Sequence, residues 1–328
     1  MDLIRRAVAI FKSLQESGTP TLVDRIAWRI LPLVYTREKF AVYAARQLQL
    51  PDCSDTLLAI KYSRGQLVEV PLPLSHYFDQ LFEVLKTHVQ ERRSLSVIRG
   101  GDGDGYFLQR RAIGNIPTRQ YTKGDDMRGV DIRLFREGFL KCDLKLVEMF
   151  LPNQRLFQEV YGRNVFSDIP VECVYALIAS RRLLKTPWSI GIIGNDHLLP
   201  VIQRLLVHPE YRGYIGRSAF QDYIPVPQRG AANEPLALAE SIRARLRGDV
   251  QLYLVGMGSA KMAVLHRLAQ DSNAVFLDVG VCIQALAGVV NVKRAYFADW
   301  VNFRLKDYDY GKVDTMLADM GPASGVIL

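Results

Sequence analysis

Four short apolar runs, each stopped by a turn rich in glycine or aspartate and interleaved with helical patterns, constrain this 328-residue chain more than any other feature. Residues 95–99 run into Gly100-Gly101-Asp102-Gly103-Asp104-Gly105, residues 189–193 into Gly194-Asn195-Asp196, and residues 251–255 into Gly256-Met257-Gly258. The fourth run, 274–278, ends on Asp278. Between them lie helical spacings: Phe78, Leu81, Phe82, Leu85 and Val89 over 76–93, a helix over about 197–207, and a third over 259–269. A further helix over 235–247 carries proline in its first turn and Gly248 just past its end. Such alternation predicts an α/β fold, a mostly parallel sheet with helices on both faces. In such sheets ligands gather at the carboxyl ends of the strands, which is where these turns fall.

Composition narrows the class without naming an activity. With 49% hydrophobic and 23% charged residues the chain is globular, which excludes disorder and fibrous repeats. Cys53, Cys142, Cys173 and Cys282 are scattered, so neither structural zinc nor a disulfide framework is expected and a cytoplasmic setting is the default. A formal net charge of +8 favours anionic partners. The opening Met1-Asp2-Leu3-Ile4-Arg5-Arg6 lacks the apolar run of a secretory signal. The most apolar stretch, 274–292, holds Asp278, and a charge in mid-bilayer costs roughly 2.5–3.5 kcal/mol; it reads as a buried strand followed by a buried helix.

Residues 1–75 read as a helical N-terminal extension, and residues 76–328 as the main domain. The extension places Ile4, Val8 and Phe11 on one face and is rich in Arg5, Arg6, Arg25 and Arg29 beside Trp28, Ile30, Leu33 and Tyr35. A basic amphipathic segment of this kind either packs on the domain or gives residues 1–50 a peripheral contact with an anionic membrane face. The triplet Arg243, Arg245, Arg247 has no interleaved aromatics and reads as a solvated helix face, so no nucleic acid is expected as a partner.

Two turns carry candidate chemistry. In Asp102-Gly103-Asp104, carboxylates two positions apart in an extended segment would face one side, as hard oxygen ligands for Mg²⁺ or Mn²⁺. The same residues also make an Asp-Gly turn with Asp104 as a helix N-cap. The second turn, Gly256-Met257-Gly258-Ser259-Ala260-Lys261, joins a strand to a helix; close-approach glycines, a helix start and a first-turn lysine suit a phosphate. Asp278 follows at the end of the next strand, where dinucleotide folds keep a ribose-binding acid, but Lys261 stands where the third fingerprint glycine would be. A tight βα turn needs the same glycines. None of His76, His88, His197, His208 and His266 pairs with another at metal-ligand spacing.

Together and in this order, the two turns resemble the signatures of the GT-D type glycosyltransferases. Ser94-Leu-Ser-Val-Ile-Arg99-Gly-Gly-Asp102-Gly-Asp104 is similar to that family's strand entering Arg-Phe-Gly-Asp-Gly-Glu, and Leu252 to Lys261 followed by Phe276-Leu-Asp278-Val-Gly280 to its strand, Gly-Pro-Thr-Ala-Lys, helix and Ile-Asp-Ile-Gly. The resemblance implies a Rossmann-like, metal-assisted enzyme that moves a sugar from a nucleotide-sugar donor, a UDP-sugar by expectation, to a glycan, lipid-linked or protein acceptor. Asp102 and Asp104 would hold Mn²⁺ or Mg²⁺ at the diphosphate. Arg99, Gly101, Gly103, Gly256, Gly258, Ser259, Lys261 and Asp278 would line the nucleotide pocket. Gly100 stands where the family has phenylalanine, Asp104 where it has glutamate, and Gly280-Val281-Cys282-Ile283 where it ends Gly-His-Ile-Asp. Asp196 is the first candidate for general base, and Asp125 or Asp126 the second. Two other readings use the same residues: an NAD-dependent oxidoreductase built on Gly256, Gly258 and Asp278, and a non-catalytic nucleotide-binding protein.

Overall fold

The computed structural model describes residues 74–110, 130–147, 151–290, 297, 300 and 303–312. The helices expected before residue 74, with their membrane or packing role, lie outside the described residues, as do Asp125 and Asp126.

Six strands form one sheet: β1 (Leu95–Gly100), β2 (Leu144–Val147), β3 (Ile190–Asn195), β4 (Asp222–Val226), β5 (Leu252–Gly256) and β6 (Val275–Asp278). Their order is β2-β1-β6-β5-β3-β4, and every neighbouring pair is parallel. The central strand β6 is the last to enter the sheet, so its Asp278 end is flanked by β1 and β5, laid down earlier. Parallel strands need both faces covered, and alternate residues serve opposite faces. Leu95, Val97, Leu252, Leu254, Val275 and Leu277 enter one apolar layer; Ile98, Tyr253, Val255 and Phe276 enter the other.

The first layer is roofed by α1 (Leu74–Gln90), α5 (Glu172–Ala179), α6 (Leu199–Leu205), α7 (Pro209–Ile215) and α10 (Val281–Leu286). In α1 the expected apolar stripe is the buried one, Phe78, Leu81, Leu85 and Val89, while Phe82 stacks on Trp188 with ring centroids 5.6 Å apart. The second layer is roofed by α3 (Ile132–Lys141), α8 (Pro235–Arg243) and α9 (Lys261–Gln270), with α2 (Asp102–Leu108) and α4 (Leu151–Tyr161) beside β1. The stretch after residue 274 is a buried strand followed by a short buried helix, and no helix among the described residues is long and apolar enough to cross a membrane.

Helix α9 is packed by α3 and α8 and lies on β1, so its burial runs almost all the way round: Met262, Ala263, Val264, Leu265, His266, Leu268 and Ala269 are all buried. The α3 crossing is closest at Gly138, where a Cβ would overlap the Met262 carbonyl oxygen and reach within 3.0 Å of the Ala263 Cα. Gly138→Ala is therefore expected to destabilise the fold by about 1–3 kcal/mol through overpacking. Gly213→Ala in α7 has open space and should be neutral or gain about 0.4–1 kcal/mol. Urea denaturation of the two variants checks both signs.

His266 lies in the same interface with its Nδ1 buried and without a hydrogen-bond partner among the described residues, and burial, aided by Arg267 and Lys141, lowers its pKa from 6.5 to about 4. The folded state thus keeps the ring neutral while the unfolded chain protonates it from pH 6.5 downward. The contribution of His266 to stability is full above pH 6.5 and is lost as the pH falls towards 4. Urea midpoints measured at pH 7 and pH 5 should drop more for wild type than for His266→Gln; equal drops would remove His266 as the cause.

Candidate functional site

The site lies at the carboxyl ends of β1, β5 and β6. β1 delivers Arg99, and the chain turns at Gly101, the N-cap of α2. Asp104 is the third residue of α2, and its Oδ2 accepts the Gly101 backbone N–H at 3.1 Å, closing the first turn. The expectation of Asp104 as an N-cap is thereby corrected: Gly101 has that position. The glycines of this turn serve packing as well, since a Cβ at Gly105 would meet Leu156 at 2.6 Å.

From β5 the chain passes Gly256 and Met257 into a 3₁₀ turn, Gly258–Ala260, which continues as α9. Gly258 has a φ of +55° and a Cβ there would meet nothing, so the glycine serves the backbone reversal and the space above it is open. This turn packs against α2, which brings the two glycine-rich segments side by side. Lys261, the first residue of α9, points back beneath them.

Four of the expected residues form one buried ionic cluster. The Lys261 Nζ lies 2.8 Å from Asp104 Oδ2 and 2.9 Å from Asp278 Oδ2. Arg99 holds Asp278 from the other side: its Nη2 donates to Oδ1 at 3.0 Å, its Nε to the Asp278 carbonyl at 2.9 Å, and its backbone N–H to Oδ2 at 3.2 Å. The carboxylate of Asp278 is only 1% exposed. Burial alone would raise its pKa, but Arg99 and Lys261 outweigh burial and hold Asp278 below the usual carboxylate range. For Asp104 burial wins over Lys261, and its pKa is raised. Burial likewise opposes the Arg99 charge, yet Asp278 more than offsets it and the guanidinium stays charged.

Two further residues complete the cluster, Tyr175 with no sequence signal and Gly280 as the last glycine of the second signature. Tyr175, on α5 and 76 positions from Arg99, accepts a hydrogen bond from Arg99 Nη1 through its hydroxyl. Gly280, at a φ of +48°, lets the chain after β6 pass over the guanidinium, where a Cβ would overlap Arg99 Nη2.

Other expectations are placed differently. Residues 102–108 are helical, so positions 102 and 104 are not in an extended segment; at ~100° per residue they lie about 200° apart around the helix axis and do not share a face. The Asp102 side chain lies outside the described atoms. Asp196 is exposed just past β3, two strand positions from β6 or roughly 10 Å in the sheet, with His197 Nε2 at 3.9 Å and no contact to the cluster among the described residues. Arg99 and Asp278 lie beneath the turns rather than lining them, and the Asp278 carboxylate is not open to a ribose. Gly101, Gly103 and Ser259 are partly exposed at the surface of the site.

A divalent ion does not fit the described donors. Asp104 and Asp278 are already matched by two fixed cations, and no group of three His, Cys, Asp or Glu side chains among the described residues gathers as metal ligands. What the arrangement offers is a turn exposed at Gly258 and partly exposed at Ser259, with Lys261 buried beneath it between two carboxylates.

Removing one partner from a buried ion pair typically costs about 3–5 kcal/mol, because the other charge is left uncompensated. Asp278→Asn should therefore destabilise the fold by that order in urea denaturation. Combining it with Arg99→Met should cost less than the sum of the two single changes, since the residues touch.

Comparison of the chain with protein-family models, curated proteins and solved structures finds no match, so any reading of function rests on the chemistry of this site.

Proposed function

We propose that the chain is a glycosyltransferase using a nucleoside-diphosphate sugar, with the donor diphosphate lying across the carboxyl ends of β1, β5 and β6. The observation that carries the reading is the convergence of both signature turns on one cluster: Asp104 from the first turn and Lys261 from the second share an ion pair of 2.8 Å. Residues 157 positions apart meet at the edge of a parallel sheet where ligands are usually bound. Transfer of the glycosyl group breaks the bond from the anomeric carbon to the diphosphate oxygen, and negative charge develops on that leaving oxygen. Lys261 and the backbone N–H groups at the start of α9 supply positive potential there, which stabilises the transition state more than the ground state. Arg99, Asp278 and Tyr175 position Lys261 from beneath. The acceptor is a glycan, lipid-linked or protein hydroxyl, whose oxygen bonds to the anomeric carbon as the nucleoside diphosphate departs and whose proton passes to water.

The oxidoreductase reading needs Asp278 at a ribose; both of its oxygens are engaged by Arg99 and Lys261, which favours the transferase.

Incubation with mixed nucleotide sugars and mass analysis of products tests the reaction; a chain that binds UDP but releases no nucleotide is a binding protein. Lys261→Ala is expected to weaken UDP binding by roughly ten- to a hundredfold, the loss of a charged hydrogen bond worth about 1.5–3 kcal/mol, and to leave uridine binding unchanged. Calorimetry with both ligands decides it. Equal losses for UDP and uridine would make Lys261 a purely structural residue.

A further inference from the structure

The feature that the transferase reading leaves unused is the charge balance of the cluster. Asp104 Oδ2 and Asp278 Oδ2 converge on one point from α2 and β6, the arrangement that carboxylates adopt around a shared cation, and the point is filled by the Lys261 ammonium at 2.8 and 2.9 Å. Arg99 takes the second oxygen of Asp278 at 3.0 Å, so among the described side chains of the cluster two anions face two cations and no net negative charge remains to attract a divalent ion. The helical placement of positions 102 and 104 removes the paired-carboxylate geometry that such an ion would use. An ammonium has three N–H donors, and the two carboxylates take two of them; the third has no acceptor among the described residues.

We infer that Lys261 occupies the cation position of this site, so that a nucleoside diphosphate is met by a fixed lysine and bound without a divalent ion. The identity of the anion rests on the transferase reading; the occupancy of the cation position does not. Removing the lysine side chain leaves Asp104 and Asp278 facing one vacated point with only Arg99 to balance them. The site then acquires the net negative charge that a hard cation requires.

The test uses the full-length protein and two probes, UDP and Mn²⁺. In wild type, UDP affinity measured by calorimetry should agree within about threefold between EDTA and Mn²⁺, a difference under ~1 kcal/mol. Mn²⁺ alone, followed by electron paramagnetic resonance of the free ion, should not bind wild type, should bind K261A, and should be lost again in K261A/D104N. K261S, which also vacates the point, replaces K261A if the alanine variant fails to fold, and the wild-type measurements need no variant. A large gain in UDP affinity with Mn²⁺, Mn²⁺ binding by wild type that D104N abolishes, or a folded K261A that takes up no Mn²⁺ would each overturn the inference. Absence of UDP binding under every condition would instead refute the transferase reading, while the Mn²⁺ titrations of K261A still decide who holds the cation position.

Discussion

The site depends on one buried carboxylate. Asp278 ends the central strand at 1% exposure and is held by Arg99 of the neighbouring strand and Lys261 of the helix packed above. A charge so placed is costly to desolvate, and an apolar substitute of the same volume would often be as stable or more so. What the ionic arrangement supplies is geometry. It joins the carboxyl ends of β1 and β6 to the start of α9, and it aims an ammonium whose own side chain is too flexible to hold a direction unaided.

Packing and charge reinforce each other around this point. Helix α9 carries Lys261 at its first residue and is enclosed by α3, α8 and β1, so its start is set by a close-packed interface with Gly138 at the tightest crossing. On the opposite side, Gly280 adopts a conformation that side chains resist and lets the chain pass directly over Arg99. The guanidinium is thereby covered, with Tyr175 as a further acceptor from the other helical layer. Both apolar layers of the fold thus contribute to one polar cluster at the sheet edge.

A fixed lysine and a divalent ion solve the same electrostatic problem differently. A metal brings a larger charge and exchangeable coordination sites, and it needs an excess of negative ligands around it. A lysine held between two carboxylates is neutralised at rest, is already oriented, and needs no free ion. The neighbouring glycine turn has open space above Gly258.

The alternation of apolar runs and helices, read from residues 95–99, 189–193, 251–255 and 274–278, determined the parallel α/β architecture and put the two glycine-rich turns at one edge. Those signals are local, since a buried strand must be apolar throughout and a tight turn needs glycine. The strands β2 and β4 escaped notice because Leu144–Val147 is short and alternates with lysine, while Asp222–Val226 contains a proline that suits only the edge position it occupies. At the site, the sequence marked Arg99, Asp104, Lys261 and Asp278 as chemically capable. It misjudged their relation, because an extended Asp-Gly-Asp and a helical one are written with the same letters. The helical turn was decided by α2 packing on α4 and by the Gly101 N–H closing on Asp104. Which carboxylate meets which cation is a matter of strand order: β6 enters last, between β1 and β5, and only that insertion brings residues 99, 104, 261 and 278 within one hydrogen-bonded cluster.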